Sequence, residues 1–250
     1  MVSTFIGIYT DMFGLSGVQV GLVGAGYSLT QLIILYPIGR YADLGHRRIL
    51  LLAGLLLGIP TYLIFWQISG FGSLVGSRLL QGTTIALTTS IGLSFISIRS
   101  EGESRGRNIG IYNSLRATGQ TIGALTGGFL VAQYGFGVPY VGLASLYAIS
   151  LVLIYYLVPP ESRETREQRA GSGLHLSELF SRSHFKIQVF FELCFAFAKS
   201  IVILFVPVYA YVIVGVSETQ LGAIVAAWYL TFALGQGPFG KASDVVGRVP

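Results

Sequence analysis

The sequence predicts an all-α membrane protein, a bundle of apolar helices in two related halves with the second half cut short. Three observations carry this expectation: a shortage of charge, long uncharged runs, and a repeat about two hundred residues on. The 250-residue chain is 52% hydrophobic and only 11% charged, with a mean hydropathy of +0.68. Soluble domains carry about 25% charged residues. Too few ionic groups remain to cover a water-facing surface, so lipid is the expected solvent.

The charges are also segregated. Gly17 to Ile38 and Ile49 to Ser77 contain no Asp, Glu, Lys, Arg or His. Each run reaches the roughly 20 residues that cross about 30 Å of hydrocarbon as helix. Further spans are expected at about Ser73–Ile98 (holding Arg78), Asn108–Gln133 (holding Arg116), Gly137–Val158, Ile187–Ile213 and Thr219–Phe239. Residues Val2–Tyr9 are apolar but too short to span, and they read as the tail of a helix that begins upstream. They lack the basic start and small-residue cleavage site of a signal peptide.

Lys and Arg set the expected orientation. Arg40, Arg47 and Arg48 follow the first full span, and Arg99, Arg105 and Arg107 precede Asn108. Arg163, Arg166, Arg169, Arg182 and Lys186 lie between Val158 and Ile187, and Lys241 and Arg248 close the chain. The alternate connections contain no Lys or Arg. By the positive-inside pattern the basic loops face the cytoplasm of a multi-pass protein in the inner or plasma membrane. The net charge of +5 thus reports topology, and no nucleic-acid partner is expected. The polar stretch from Pro159 has the composition of a cytoplasmic linker, with Leu174–Phe180 as a short amphipathic helix. The expected division is 1–158 for the first membrane half, 159–186 for the linker and 187–250 for the start of the second half. The single cysteine, Cys194, reads as a small apolar residue of a span.

Self-similarity is the most specific signal. Phe5-x-x-x-Tyr9 returns as Phe205-x-x-x-Tyr209, and Gln19-Val-Gly21 as Gln220-Leu-Gly222. Tyr27 matches Trp228, Pro37-x-Gly39 matches Pro238-x-Gly240, and Asp43 with Arg47 match Asp244 with Arg248. After the second helix of each half comes a glycine-, aspartate- and arginine-bearing loop. The first copy runs from Gly39 through Asp43 to Arg47 and Arg48, the second from Gly240 through Asp244 and Gly247 to Arg248. This duplicated loop resembles the signature of the major facilitator superfamily. Arg78-Leu-Leu-Gln81-Gly82 is similar to that family's fourth-helix motif. Gly119-x-x-x-Gly123-Ala124-x-x-Gly127-Gly128 is similar to its antiporter glycine motif, with Ala124 where proline is characteristic.

The resemblance implies twelve helices in two six-helix halves, of which this chain holds the end of the first through the eighth. It implies a secondary transporter that moves a small solute by alternating access, with protons as the coupling partner and export as the direction. It also implies a conformational latch at Gly39, Asp43, Arg47, Arg48, Gly240, Asp244, Gly247 and Arg248. Physically, glycine permits the tight reversal, the aspartate suits a helix N-terminus, and Arg47 and Arg248 are expected to anchor at anionic headgroups. Asp244 is expected to contact the start of the fifth helix near 105–108.

Four ionisable residues fall inside spans: Arg78, Arg116, Glu192 and Lys199. Each costs about 2.5–3.5 kcal/mol against lipid on insertion scales, so each is expected to face the protein interior or a cavity. Asn113, Arg116 and Gln120 form a polar stripe beside the Gly119, Gly123, Gly127 row, which would allow close helix packing. Tyr27, Gln31, Gln81 and Trp228 are further candidates to line a substrate cavity. The cationic excess suits an anionic substrate, with balancing acids in other helices as the alternative.

No cofactor, metal or nucleotide is expected. Gly235-x-x-x-x-Gly240-Lys241 imitates a phosphate loop, but Ala242 has no hydroxyl for magnesium and Pro238 lacks a backbone donor. His46, His175 and His184 lie in or beside loops and no Gly-x-Ser-x-Gly occurs, so no enzyme is expected. The competing readings are a truncated, non-transporting fragment and a seven-span receptor or channel.

Overall fold

The computed structural model describes residues 4–99, 104–159 and 183–246. They form helices, and among the described residues there is no strand. In chain order these are α1 (Ile6–Met12), α2 (Gly17–Tyr41), α3 (Arg47–Trp66), α4 (Phe71–Ile85), α5 (Ile91–Arg99), α6 (Ser104–Tyr134), α7 (Gly137–Leu157), α8 (Ser183–Val208) and α9 (Glu218–Val246). Wider π-type turns lie between α4 and α5 at Ala86–Ser90 and after α8 at Tyr209–Val214. The linker, with its expected helix at Leu174–Phe180, falls outside the described residues.

Four stretches among the described residues are long and apolar enough to cross a membrane: Gly17–Trp66, Phe71–Ile98, Gly137–Leu157 and Phe185–Val214. The first of them contains α2 and α3. The expected spans at Asn108–Gln133 and Thr219–Phe239 correspond to α6 and α9, which are 31 and 29 residues long but less apolar. The uncharged run Ile49–Ser77 is not one helix. It breaks after Trp66, and Ser73 caps the start of α4 by accepting from the backbone N–H of Gly70 at 3.1 Å.

The repeat extends to atomic detail. α2 begins at Ser16, whose N–H donates to Gln19 Oε1 at 2.9 Å while Gln19 N–H donates back to Ser16 Oγ at 3.4 Å. Residues 201 positions later do the same: Ser217 N–H to Gln220 Oε1 at 2.9 Å and Gln220 N–H to Ser217 Oγ at 3.3 Å. Such reciprocal caps satisfy two of the donors a helix start leaves open. The Gln of the duplicated Gln-x-Gly pattern is therefore a helix start signal.

The first motif loop is shorter than the sequence suggests. Gly39 lies inside α2, and the reversal occupies Ala42–His46, where only Gly45 has a left-handed backbone at φ 82°. An L-residue there meets a cost of about 1–2 kcal/mol. Gly45→Ala is expected to lower the thermal midpoint of the solubilised protein. Gly39→Ala, which meets nothing within 4 Å, is expected to raise it slightly, because alanine outranks glycine in helices by about 1 kcal/mol. Paired melting curves check both signs.

α8 and α9 pack against the earlier helices at three places, one of them α8 on α2 with Gly24 facing Leu204. α1 packs on α8 and the turn after it, with Gly7 against the Pro207 carbonyl. α6 and α9 cross through glycine on glycine: a Cβ on Gly128 would sit 2.6 Å from the Glu218 carbonyl oxygen, and one on Gly222 would sit 2.6 Å from that of Ala124. The face of α6 that packs is Ala117, Thr121, Ala124, Gly128 and Val131, all buried. This corrects the expected row of Gly119, Gly123 and Gly127, of which only Gly127 is buried. Gly119 is exposed with open space around it, because the helix rotates its alternate small stripe into the crossing.

Candidate functional site

Arg78 is a charge buried among the helices. It lies seven residues into α4, about 10 Å from the end of the helix, and is 3% exposed. One guanidinium nitrogen donates to Gln81 Oε1 at 2.9 Å, one helical turn on. Nε is buried with no hydrogen-bond partner. No carboxylate pairs with Arg78 among the described residues, where the one ion pair is Arg47 with Asp43. Its electrostatic neighbours are four phenols, those of Tyr9, Tyr27, Tyr62 and Tyr140.

Four elements supply that shell besides α4. α1 brings Tyr9, whose hydroxyl is 2.8 Å from that of Tyr140 on α7 and 3.4 Å from the Phe65 carbonyl on α3. α3 brings Tyr62, whose ring centre is 5.2 Å from that of Tyr147 on α7. α2 brings Tyr27, with Gln31 one turn on. The close approach of α2 to α4 depends on Gly82, where a Cβ would lie 2.6 Å from the Tyr27 carbonyl oxygen. Phe5, Phe65 and Phe136 pack edge or face against these rings. The π-type turn at Ala86–Ser90 follows this site by one turn, an irregularity that recurs at functional positions in helices.

A lone guanidinium in such a place is expensive. Burying an ion without a partner costs several kcal/mol after relaxation, and phenol oxygens and one amide return only part of it. The site can donate hydrogen bonds from a delocalised positive charge, and the phenols can donate beside it. Its chemistry is that of an anion receptor.

The other sequence candidates are distributed differently. Tyr27, Gln31, Gln81 and Arg78 come together. Asn113, Arg116 and Gln120 do not join them: Asn113 is half-buried, and Arg116 and Gln120 are exposed on α6. Arg116 has Tyr112 and Tyr229 as electrostatic neighbours. Trp228 and Tyr229 line a separate apolar groove of about 90 Å³ between α8 and α9. Glu192 and Lys199 are exposed among the described residues. α8 meets α1 and α2 with only part of its length, and its residues 186–201 are uncovered among the described residues. Lys199 Nζ rests 5.6 Å from the Phe232 ring centre.

At the opposite end of α3, Arg47 is 2% exposed and turned inward, correcting its expected place at the headgroups. It donates to Asp43 Oδ1 and, through Nε, to Ser94 Oγ, both at 3.1 Å. The motif turn is thereby tied to α5. Arg48 faces outward and lies over the Tyr155 ring. In the second copy α9 continues to Val246, so Gly240 and Asp244 lie in helix rather than loop. Their side chains, the Asp244 contact near 105–108, and Gly247 and Arg248 fall outside the described residues.

No motif in the sequence marks Tyr9, Tyr62, Tyr140 or Tyr147 as a site residue. The signal Tyr147 does carry is position: tyrosines of membrane spans concentrate at the interfaces, whereas Tyr147 sits midway along α7.

The family described as Major Facilitator Superfamily matches residues 1–250. The chain is similar to an uncharacterized MFS-type transporter of Methanocaldococcus jannaschii, 24% identical over 99% of this chain and 65% of that protein. It is similar to Multidrug resistance protein 1 of Bacillus subtilis, 28% identical over 68% of this chain and 44% of the relative. Citrate exporter 1 of Aspergillus niger is 29% identical over 54% of this chain and 25% of the relative. The chain therefore spans less than two thirds of the length of each of these relatives.

Proposed function

The chain belongs to the major facilitator superfamily, a family of membrane transporters, and from that premise we propose that it carries the solute site of a proton-coupled secondary transporter that exports a small organic anion. The observation that carries this reading is the buried, carboxylate-free Arg78 among hydroxyls from four other helices. Alternating access moves two helical halves about a central site. The solute class follows from the charge the site lacks, and the direction of export from the name of one relative, Citrate exporter 1.

In this reading residues 1–158 form one rocking half and residues 187–250 begin the other, with the linker and basic loops in the cytoplasm. The Arg47 ties to Asp43 and Ser94 hold the motif turn in one conformation and release it in the other. In the cycle a proton enters as the solute leaves, so the inward proton gradient drives export.

The test is flux in sealed vesicles containing the full chain, with radiolabelled citrate as the first substrate tried and other carboxylates as competitors. Inverted vesicles acidified inside are expected to accumulate label, and a protonophore is expected to abolish at least about nine tenths of it. Accumulation that survives the protonophore would remove the proton coupling. No flux of any carboxylate would remove the anion assignment.

A further inference from the structure

We propose that the lipid-facing groove between α3 and α7 holds an acyl chain of an anionic phospholipid whose phosphate is bound by Arg48. This site lies apart from Arg78 and does not depend on the solute reading.

The groove has a volume of about 520 Å³, and Ile49, Leu52, Leu56, Leu151, Val152 and Tyr155 line it. A volume of this size falls within the range of sites that take drug-sized ligands. Ile49, Leu56, Val152 and Tyr155 are exposed, so the groove opens sideways from the bundle. From Ile49 to Leu56 it follows α3 for about 10 Å. α7 runs past in the opposite direction, with Tyr155 at the Arg48 end.

That end carries the charge. Arg48 lies in the first turn of α3 and donates from one terminal nitrogen to the Tyr155 carbonyl at 2.7 Å. Its guanidinium carbon sits 5.5 Å from the centre of the Tyr155 ring. Of its five donors one bonds the Tyr155 carbonyl and the Nε donor is buried without a partner, while no carboxylate pairs with Arg48 among the described residues. Its neighbour Arg47 differs in being turned inward onto Asp43 and Ser94. Arg48 does not line the groove itself but reaches its end through Tyr155, whereas Arg40 is exposed.

A fixed cation at one end of an apolar slot that opens sideways matches an amphiphile with an anionic head. A soluble anion would leave the slot unused, and a zwitterionic lipid would bring its own cation to Arg48. Basic pockets between membrane helices bind anionic headgroups on this principle.

Native mass spectrometry of the full chain in detergent, offered equal phosphatidylglycerol and phosphatidylcholine, tests the proposal. The protein is expected to retain phosphatidylglycerol about fivefold over phosphatidylcholine, the factor one near-surface cation supplies. Arg48→Gln should bring that ratio near one, and Arg48→Lys should keep most of it, which separates charge from a folding defect. Ala53→Trp, which fills the slot, should lower retention of both lipids, whereas Arg40→Gln should change neither. Equal retention by the unmodified chain would overturn the proposal, as would a ratio unmoved by Arg48→Gln. So would an equal loss in Arg40→Gln, which would mean attraction to surface charge alone. A two-chain mass without lipid would assign the face to a second copy instead.

Discussion

Arg78→Met is expected to cut solute flux in vesicles by at least about 100-fold without lowering the thermal midpoint of the protein. Removing one partner of a buried, hydrogen-bonded charge interaction costs 2–5 kcal/mol, and each 1.36 kcal/mol off a barrier is tenfold in rate. The stability half runs the other way. In the solute-free protein Arg78 is 3% exposed, bonded to one amide, and has Nε without a partner. Taking away a charge that is poorly compensated in the folded state is neutral or stabilising when an apolar residue fills its volume. Arg78→Met should therefore melt at the same temperature as the unmodified protein or higher. Arg78→Lys keeps the charge but loses the planar fork, and should retain about a tenth of the flux. A structural clamp predicts the reverse: Arg78→Met would melt well below the unmodified protein and lose flux only in proportion to folded material. Stability and flux measured on the same preparations separate the two roles.

Much of the architecture was legible because lipid leaves little freedom. A helix that crosses hydrocarbon must be long, apolar and internally hydrogen-bonded, so uncharged runs such as Gly17–Ile38 announce themselves. The offset of about 200 residues was legible for a similar reason, since Ser16/Gln19 and Ser217/Gln220 are under the same local demand at a helix start. The fourth-helix motif pointed to Arg78 and Gln81, and their hydrogen bond is an i, i+3 contact that helical spacing already permits. What the sequence could not show is which residues from other helices reach Arg78. Tyr9, Tyr62 and Tyr140 lie far apart along the chain, and only the packing of α1, α3 and α7 makes them neighbours. The depth of burial of Arg47 was also hidden. A basic residue in a short loop reads as topogenic, and the inward turn depends on Ser94, 47 residues away. Helix rotation was a third gap: in α6 two interleaved stripes of small residues each satisfy the spacing for close approach, and the partner helix decides between them.

That decision can be measured. Gly128→Leu and Gly222→Leu are each expected to destabilise the protein by about 3 kcal/mol, the upper part of the range for forcing bulk into a packed contact. At 2–4 °C per kcal/mol for chains of about this size, the thermal midpoint should fall by about 6–12 °C. The cost belongs at the high end because the obstruction is backbone. A Cβ on Gly128 would stand 2.9 Å from Gly222 Cα and 2.6 Å from the Glu218 carbonyl oxygen, and one on Gly222 would stand 3.0 Å from Gly128 Cα. No rotamer change relieves contacts of that kind, so α6 and α9 must separate. In a membrane that separation forfeits the close packing that holds helices together, since lipid is as apolar as the side chains it replaces. Both substitutions open the same crossing, so the double variant should lose little more than either single one, as expected for coupled sites. Gly119→Leu is the control. Gly119 meets nothing within 4 Å, and its substitution should leave the midpoint within about 0.5 kcal/mol of unchanged. Were Gly119→Leu to destabilise and Gly128→Leu not, the Gly119 stripe would be the packed one, and α6 would be turned the other way about its axis. Because α6 and α9 cross through this contact, flux should fall with the midpoint in the Gly128 and Gly222 variants. In Arg78→Met the two should part company.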